Sequence, residues 1–442
     1  MRIQLSEHFT YNKLLRFVFP SVFMMIFTSI YSVVDGLFVS NFAGKTPFAA
    51  INLIYPLFMM LGALGFMIGT GGSAIVAKTL GEGKADLANR YFSMLVYVTL
   101  VGGILVSLIG QFVLRPVAEI LGAEGEMLQN CVLYGRVLLC TMTFFLLQNV
   151  FQSFFIVAEK PKLGLGVMVI AGLTNIALDA LFIIGFDWGL AGAAVATAIS
   201  QIIGGVIPVV YFLRKNDSLL SLTKSEIYGG ILLKTCINGS SEMMSNLSAS
   251  VVTMLYNFQL MRFAGENGVA AYGVIMYVNF IFVAILFGYA IGSSPLVSYN
   301  YGAGNYSELQ NLLQKSLILL GGTGVVLTTA SYSAAEILAK VFVGYDDNLL
   351  AMTVHGLRIY AFVFLSCGFN IFGSAFFTAL NNGVISAVIS FLRTLVFECG
   401  AVLILPLILG MDGIWSSVIV AELMALTVTI VFLLKQNKRY HY

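Results

Sequence analysis

Several acidic side chains of this chain lie inside long apolar stretches, where a charge is costly. A carboxylate at the centre of a membrane helix costs about 2.5–3.5 kcal/mol on insertion scales, so such acids usually face the interior of a helix bundle and have a function. The acids concerned are Asp35, Asp179, Glu242, Glu398 and Glu422. Arg393 is the one base that lies as deep in an apolar stretch. These residues are the first candidates for a functional site.

Two of the acids lie at a similar depth below one end of their apolar runs. Asp35 and Asp179 each lie about seven residues before the end of a run, and Thr197 lies about seven residues into another. At about 1.5 Å per helical residue, this depth is roughly 10 Å. Asn175 lies one turn before Asp179 on the same helix face. Two carboxylates, an amide oxygen and a hydroxyl suit sodium, or a proton shared between two acids. A packed hydrogen-bond network is the alternative interpretation.

The other acids also allow more than one interpretation. Glu398 and Glu422 each lie about ten residues from a helix end, so they could share a proton or pair with Arg393. We expect a structural Arg393–Glu398 or Arg393–Glu422 ion pair, because a lone buried charge is costly. Glu242 ends a polar run, residues 238–242, which could line a substrate cavity.

The elements that must position these residues are transmembrane helices. Of the 442 residues, 59% are hydrophobic and 10% are charged, whereas roughly a quarter of the residues of a soluble protein are charged. About 20 apolar residues are enough to cross a bilayer as a helix. Twelve such runs occur, at about 14–42, 48–77, 91–113, 131–157, 162–186, 190–213, 231–263, 269–298, 315–339, 353–379, 384–408 and 412–434. No pattern of a removable signal peptide precedes them.

The chain also matches itself when it is shifted by 221 residues. The matches include Phe42-Ala43-Gly44 with Phe263-Ala264-Gly265, Gly81 with Gly302, Gly83 with Gly304, and Gly189 with Gly410. One register that holds along the whole chain indicates a duplicated unit. Asp35 and Asp179 fall on Tyr256 and Gly400, so the symmetry of the fold does not require these two acids.

The fold class expected from these patterns is an all-α integral membrane protein. Twelve transmembrane helices would form two parallel six-helix repeats, related by a pseudo-twofold axis along the membrane normal. The first lobe is residues 1–213 with helices 1–6, and the second is residues 231–442 with helices 7–12. A polar cytoplasmic linker, residues 214–230, would join the lobes.

Basic residues predict the orientation of the chain in the membrane. With a cytoplasmic amino terminus, sixteen Lys and Arg residues lie in inner segments and only four in outer connections, namely Lys45, Arg115, Arg262 and Lys340. This bias follows the positive-inside rule. We therefore expect a multi-pass protein of the cytoplasmic membrane, the inner membrane of the cell, with both termini cytoplasmic.

Other function classes find no support in the sequence. The net charge of +2 does not indicate a basic surface that binds nucleic acid. Gly44-Lys45-Thr46 lacks the first glycine of a phosphate-binding loop, and the three histidines and five cysteines make no metal-ligand pattern. No constellation for an intramembrane enzyme is present, so we expect a transporter that is driven by an ion gradient or runs downhill. We expect no cofactor and no metal other than sodium as a possible coupling ion.

Proline and glycine indicate where the helices bend or end. Pro20 removes a backbone hydrogen bond within the first run, which also carries Asp35, so we predict a functional hinge there. The loops at Gly83 and Gly304 are either cytoplasmic hinges or ordinary helix caps, and we favour caps.

These features resemble the multidrug and toxic compound extrusion (MATE) family. The resemblance rests on Asp35 in the first span, on Asn175-Ile176-Ala177-Leu178-Asp179, on the run Gly189–Gln201, and on the two glycine loops. It covers essentially the whole chain. It implies antiport of lipophilic organic cations and drugs against sodium or protons, by alternating access, with the cation site at Asp35, Asn175, Asp179 and Thr197.

The chain departs from the family pattern in two places. Gln148 and Gln152 stand where many relatives carry asparagine, and we assign them with Glu242 to the substrate cavity. The tenth span lacks the aspartate that some members pair with a glutamate of the seventh span, which puts coupling through Glu242 in doubt. The protein is expected to act as a monomer. A lipid-linked precursor flippase of the same superfamily is the alternative function, although only Arg393 could hold a pyrophosphate.

Overall fold

The computed structural model describes residues 3–39, 42, 45–344 and 346–442, with the backbone alone for residues 32, 36, 37, 45, 48, 49 and 266. Ala43 and Gly44 of the expected repeat, and the Lys45 side chain of the expected outer connections, therefore lie outside the described residues. Within them the chain is all-helical and forms no strand.

Thirteen α-helices follow one another along the described chain. They are α1 (Tyr11–Phe38), α2 (Lys45–Gly81), α3 (Ala85–Ile120), α4 (Gly125–Val157), α5 (Pro161–Asp179), α6 (Gly189–Leu213), α7 (Gly229–Gly302), α8 (Tyr306–Val343), α9 (Asp347–Tyr360), α10 (Phe364–Ala379), α11 (Gly383–Phe391), α12 (Glu398–Leu409) and α13 (Met411–Tyr440). A π-helical segment, Ala180–Gly185, continues α5, and a second, Leu392–Phe397, joins α11 to α12. A short 3₁₀ segment, Ala361–Val363, joins α9 to α10.

Among the described residues, eleven helical segments are long and apolar enough to cross a membrane. Eleven of the twelve expected runs overlap them; the run at 231–263 does not. Its residues form the first part of α7, before the helix is interrupted by the non-helical backbone of Gly265. Polar residues distributed along this part, among them Glu242, Asn246, Asn257 and Gln259, lower its hydrophobicity and set it apart from the others.

The 221-residue shift is visible in the backbone at two pairs of glycines. Gly83 and Gly304 both have positive φ, of 77° and 67°, and each lies just after the end of a long helix. Gly189 and Gly410 have φ of 51° and 58°, and each lies at the start of a helix. The first pair has the geometry of a helix cap, since glycine is the residue that adopts this conformation without strain after a helix.

The two halves of the chain pack tightly at one end of the bundle, which we call the inner end. It is formed by the carboxyl end of α2 and by the first and last turns of α7. A Cβ at Gly239 would overlap the Met67 carbonyl, and one at Gly302 would overlap the Lys78 carbonyl, so the backbones are in contact there. The distribution of basic residues predicts that this end faces the cytoplasm. The bundle is therefore closed on its predicted cytoplasmic side.

The segment before α1 connects both halves at the inner end. The Leu5 amide donates to Glu159, between α4 and α5, at 2.8 Å, and the Phe9 amide donates to Glu308 of α8 at 2.9 Å. Glu308 also contacts His8 Nδ1 at 2.6 Å. Both carboxylates are buried. Because one segment contacts acids of both halves, it strengthens the closure of this end.

Candidate functional site

The acid pair of the amino-terminal half is brought together by two helices. Asp35 lies in the last turn of α1, and Asp179 is the last residue of α5 before the π-helical segment. The two carboxyl groups lie close enough for each to act electrostatically on the other. Asp179 is completely buried, whereas Asp35 is only partly buried. The structure thus joins the two acids that the sequence placed at one depth.

The other two residues of the expected set lie beside this pair. Asn175 Nδ2 donates to Thr197 Oγ1 of α6 at 3.4 Å, a long hydrogen bond. Thr197 in turn contacts Tyr134 of α4, whose hydroxyl lies in the electric field of both acids. All four expected residues therefore surround one polar region between α1, α5 and α6.

Three tyrosines complete this region and were not anticipated from the sequence. Tyr31 and Tyr55 lie near Asp35, and Tyr134 lies near both acids. Tyr31 is one turn before Asp35 on α1, and this spacing could have pointed to it. Tyr55 and Tyr134 come from other helices, so no local pattern could have indicated them.

The most informative property of the pair is that its oxygens lack hydrogen-bond donors. Asp35 Oδ1 and both carboxylate oxygens of Asp179 are buried, and no described residue donates a hydrogen bond to them. A buried carboxylate oxygen that has no donor is costly unless a cation or proton compensates it. These oxygens, the Asn175 amide oxygen and the Thr197 hydroxyl are the ligand types that a hard cation prefers.

The charged residues of the carboxy-terminal half form a different kind of cluster. Arg393 Nε contacts Glu422 Oε1 at 2.7 Å, and the other oxygen of Glu422 accepts from Asn370 Nδ2 at 2.7 Å. The Asn370 oxygen accepts from Thr429 Oγ1 at 2.9 Å. Of the two expected pairs, the structure forms Arg393–Glu422. Glu398 forms no ion pair with a described residue and instead lies beside Tyr256.

The residues assigned to the substrate cavity lie on two helices, α4 and α7. Gln148 and Gln152 are buried on α4, where their amide nitrogens contact Met168 Sδ at 3.3 Å and Met25 Sδ at 3.7 Å. Glu242 lies on α7 in the other half, near Arg393, and is partly buried. A shared role of these three residues at one cavity stays a prediction.

The expected hinge at Pro20 lies in a helix that is continuous from Tyr11 to Phe38. The next turn packs closely on α7, because a Cβ at Gly288 would contact the Val22 backbone and one at Gly292 would contact Val18 and Ser21. Pro20 therefore lies where α1 meets the other half. Its bending during a transport cycle stays a prediction.

Comparisons with known proteins identify the class of this chain. The family model MatE matches residues 20–181 and residues 243–400, one segment in each half. The chain therefore belongs to the MatE family, whose members are transporters and not enzymes. As a transporter of this family it is a multi-pass membrane protein.

Relatives and solved structures agree with this assignment along the whole chain. "Multidrug export protein MepA" of Staphylococcus saprophyticus is 24% identical over 436 residues, which cover 97% of this chain and 94% of the relative. A crystal structure described as "MATE in complex with MaL6" matches with a TM-score of 0.94 at 22% identity, over 99% of this chain and 98% of that one. Another, described as an outward-facing multidrug resistance MATE family transporter, has a TM-score of 0.93 at 22% identity, over 99% and 98% of the two chains.

Proposed function

We propose that this protein exports lipophilic organic cations and drugs in exchange for sodium or protons, by alternating access. The relatives named as multidrug exporters support the cargo class. The observation that carries the exchange mechanism is the group of three buried carboxylate oxygens without donors at Asp35 and Asp179. Such a site is stable only when it holds a small cation or a proton, so it can deliver the energy of an ion gradient.

The architecture proposed with this function has twelve transmembrane helices in two six-helix repeats. The part of α7 before Gly265 would then count as the seventh span. The family match in each half and the paired glycine geometry support the duplication. Both termini would be cytoplasmic, and the protein would act as a monomer.

In this cycle the closed inner end corresponds to the state that faces away from the cytoplasm. A cation from outside would bind Asp35 and Asp179 and neutralise their mutual repulsion. The resulting movement of α1, which carries Asp35 and Pro20, would release the cargo outward and reopen the inner end. Asn175 and Thr197 would supply neutral oxygens to the bound ion, and the sodium or proton is itself a transported substrate.

The alternative flippase function receives less support. A pyrophosphate headgroup needs uncompensated positive charge, and the charge of Arg393 is compensated by Glu422 at 2.7 Å.

The proposal is tested with purified protein in liposomes that contain a cationic dye. Sodium and pH gradients are imposed separately, and dye efflux is recorded for the wild type and for D35N and D179N. We expect gradient-driven efflux in the wild type and only leak in both variants. D187N, an identical change at an exposed position eight residues after Asp179, is the matched control. Efflux that ignores every imposed gradient, or that survives in D35N and D179N, contradicts the proposal.

A further inference from the structure

Each half of the chain places an acid directly beside a π-helical segment. Asp179 immediately precedes the segment Ala180–Gly185, and Glu398 immediately follows the segment Leu392–Phe397. The 221-residue shift puts Asp179 on Gly400, only two residues from Glu398. Because a π-helical turn changes the direction in which the following side chains point, the sequence shift cannot show what Glu398 faces. The contacts of Glu398 show which groups its side chain faces.

Glu398 lies in a group of tyrosines that matches the surroundings of the acid pair. Its carboxyl group acts electrostatically on the hydroxyls of Tyr256, Tyr272 and Tyr360. Tyr256 is the residue that the repeat places at the position of Asp35, and its ring stacks on Tyr272 at 4.8 Å. Both halves therefore place tyrosine hydroxyls around buried acids, and the residue beside the acid is Asp35 in the first half and its counterpart Tyr256 in the second.

The Tyr256 hydroxyl is a buried polar group that lacks a partner. Tyr256 is 2% exposed, and its hydroxyl lies beside the Glu398 carboxyl. No described residue forms a hydrogen bond with it. A buried hydroxyl without a partner is unfavourable. A hydrogen bond between Tyr256 and Glu398 is therefore expected to form.

The surrounding charges leave Glu398 without a cation of its own. Arg393 is bound to Glu422 at 2.7 Å, and Glu422 also accepts a hydrogen bond from Asn370. The titratable and charged groups near Glu398 on the helices around it are Tyr256, Tyr272, Tyr360, Cys399, Glu422 and Arg393, and beyond Arg393 lies Glu242. The attraction of Arg393 for Glu398 is opposed by the repulsion from Glu422, so Glu398 has no counter-ion of its own among the described residues.

We infer that Glu398 and Tyr256 form a second proton-binding site, a diverged counterpart of the Asp35–Asp179 pair. A proton fits this place better than sodium, because it offers one carboxylate and one hydroxyl, whereas sodium takes a larger set of oxygens such as that of the amino-terminal half. The protonated Glu398 carboxyl donates to the Tyr256 oxygen and thereby gives the buried hydroxyl a partner. Only the use of this proton in transport rests on the proposed function; its binding does not.

The binding is tested without any transport, by infrared difference spectra of the purified protein at two pH values. A carboxyl band that appears at the lower pH should be lost in E398Q and shifted in Y256F, and it should persist in D179N. E336Q, an exposed acid, and Y289F, whose hydroxyl donates to Ser316, are the matched controls and should leave the band unchanged. An unchanged band in E398Q overturns the inference. An unchanged band in Y256F also overturns it, and this second test remains available if E398Q does not fold.

The role in transport is tested separately, from the number of protons exchanged per cargo molecule in liposomes. If transport is coupled to protons, E398Q should exchange about one proton fewer per cargo than the wild type, while D179N abolishes exchange. Efflux that ignores every gradient in the wild type would end the proposed antiport, yet the infrared band would still report the Glu398 proton. Loss of the band together with unchanged proton exchange would overturn the inferred role in transport.

Discussion

The two halves of this transporter share a backbone pattern but satisfy their buried charges in opposite ways. In the carboxy-terminal half, Glu422 is fully provided for by Arg393 and Asn370. In the amino-terminal half, Asp179 is as deeply buried but receives no hydrogen bond from a described residue. The Glu422 carboxylate is stabilised by partners within the protein, whereas the Asp35–Asp179 pair needs a cation or a proton from solution. The difference teaches that duplication preserves where helices end, while the chemistry of each half diverges.

The largest effect is expected from removing the permanent partner, in R393M. Glu422 then stays buried without its counter-ion, which typically costs about 3–5 kcal/mol of the free energy of unfolding. Thermal and denaturant unfolding in detergent measures this loss. D179N, which removes a charge that has no internal partner, should cost less than about 1 kcal/mol.

A double variant serves as the control for this comparison. R393M/E422Q removes both charges and should recover a large part of the stability that R393M loses. Equal stabilities of R393M and D179N would show that the two clusters do not differ in the way described.

A smaller loss is expected from N370A. The Asn370 amide donates to Glu422 Oε2 at 2.7 Å and to the Glu422 backbone oxygen at 2.8 Å, so its truncation leaves a buried charge with fewer donors. The expected cost is about 1–3 kcal/mol. N175A, the matched change in the other half, should alter stability less and should mainly weaken coupling to the ion gradient. A reversed order of the two unfolding midpoints would break the comparison.

The next effect is the stabilisation of the folded protein by the sodium ion or proton that it binds from solution. Sodium, or a lower pH, should raise the free energy of unfolding of the wild type, by about 1.4 kcal/mol when the ion is at ten times its dissociation constant. The unfolding midpoint should rise accordingly. D179N should lose the response to sodium, and R393M/E422Q should keep it. The measurement is thermal unfolding in sodium against potassium, at constant ionic strength. A response of equal size in D179N would remove Asp179 from the ion site.

Much of this arrangement could be predicted from the sequence, because the signals are local or periodic. The depth of Asp35 and Asp179 indicated their meeting, and the cost of a buried arginine indicated a pair with Glu398 or Glu422, of which the structure forms the second. Asn370 was missed, because an amide in an apolar run gives no sign of its partner on another helix. Tyr55 and Tyr134 were missed for the same reason. The first part of α7 was expected as an ordinary span, and its polar residues set it apart from the other spans.

The smallest expected effect distinguishes one threonine of each cluster. Thr429 donates to the Asn370 oxygen at 2.9 Å, so T429V leaves that buried oxygen without a donor and should cost about 0.5–1.5 kcal/mol. Thr197 accepts a long hydrogen bond of 3.4 Å from Asn175, which is not its only polar neighbour, since Thr197 also contacts Tyr134. T197V should therefore leave the unfolding midpoint without the ion nearly unchanged and should reduce the stabilisation by the ion instead. If T197V destabilised the ion-free protein as much as T429V does, the amino-terminal cluster would be a packed hydrogen-bond network, and the distinction between the two halves would fail.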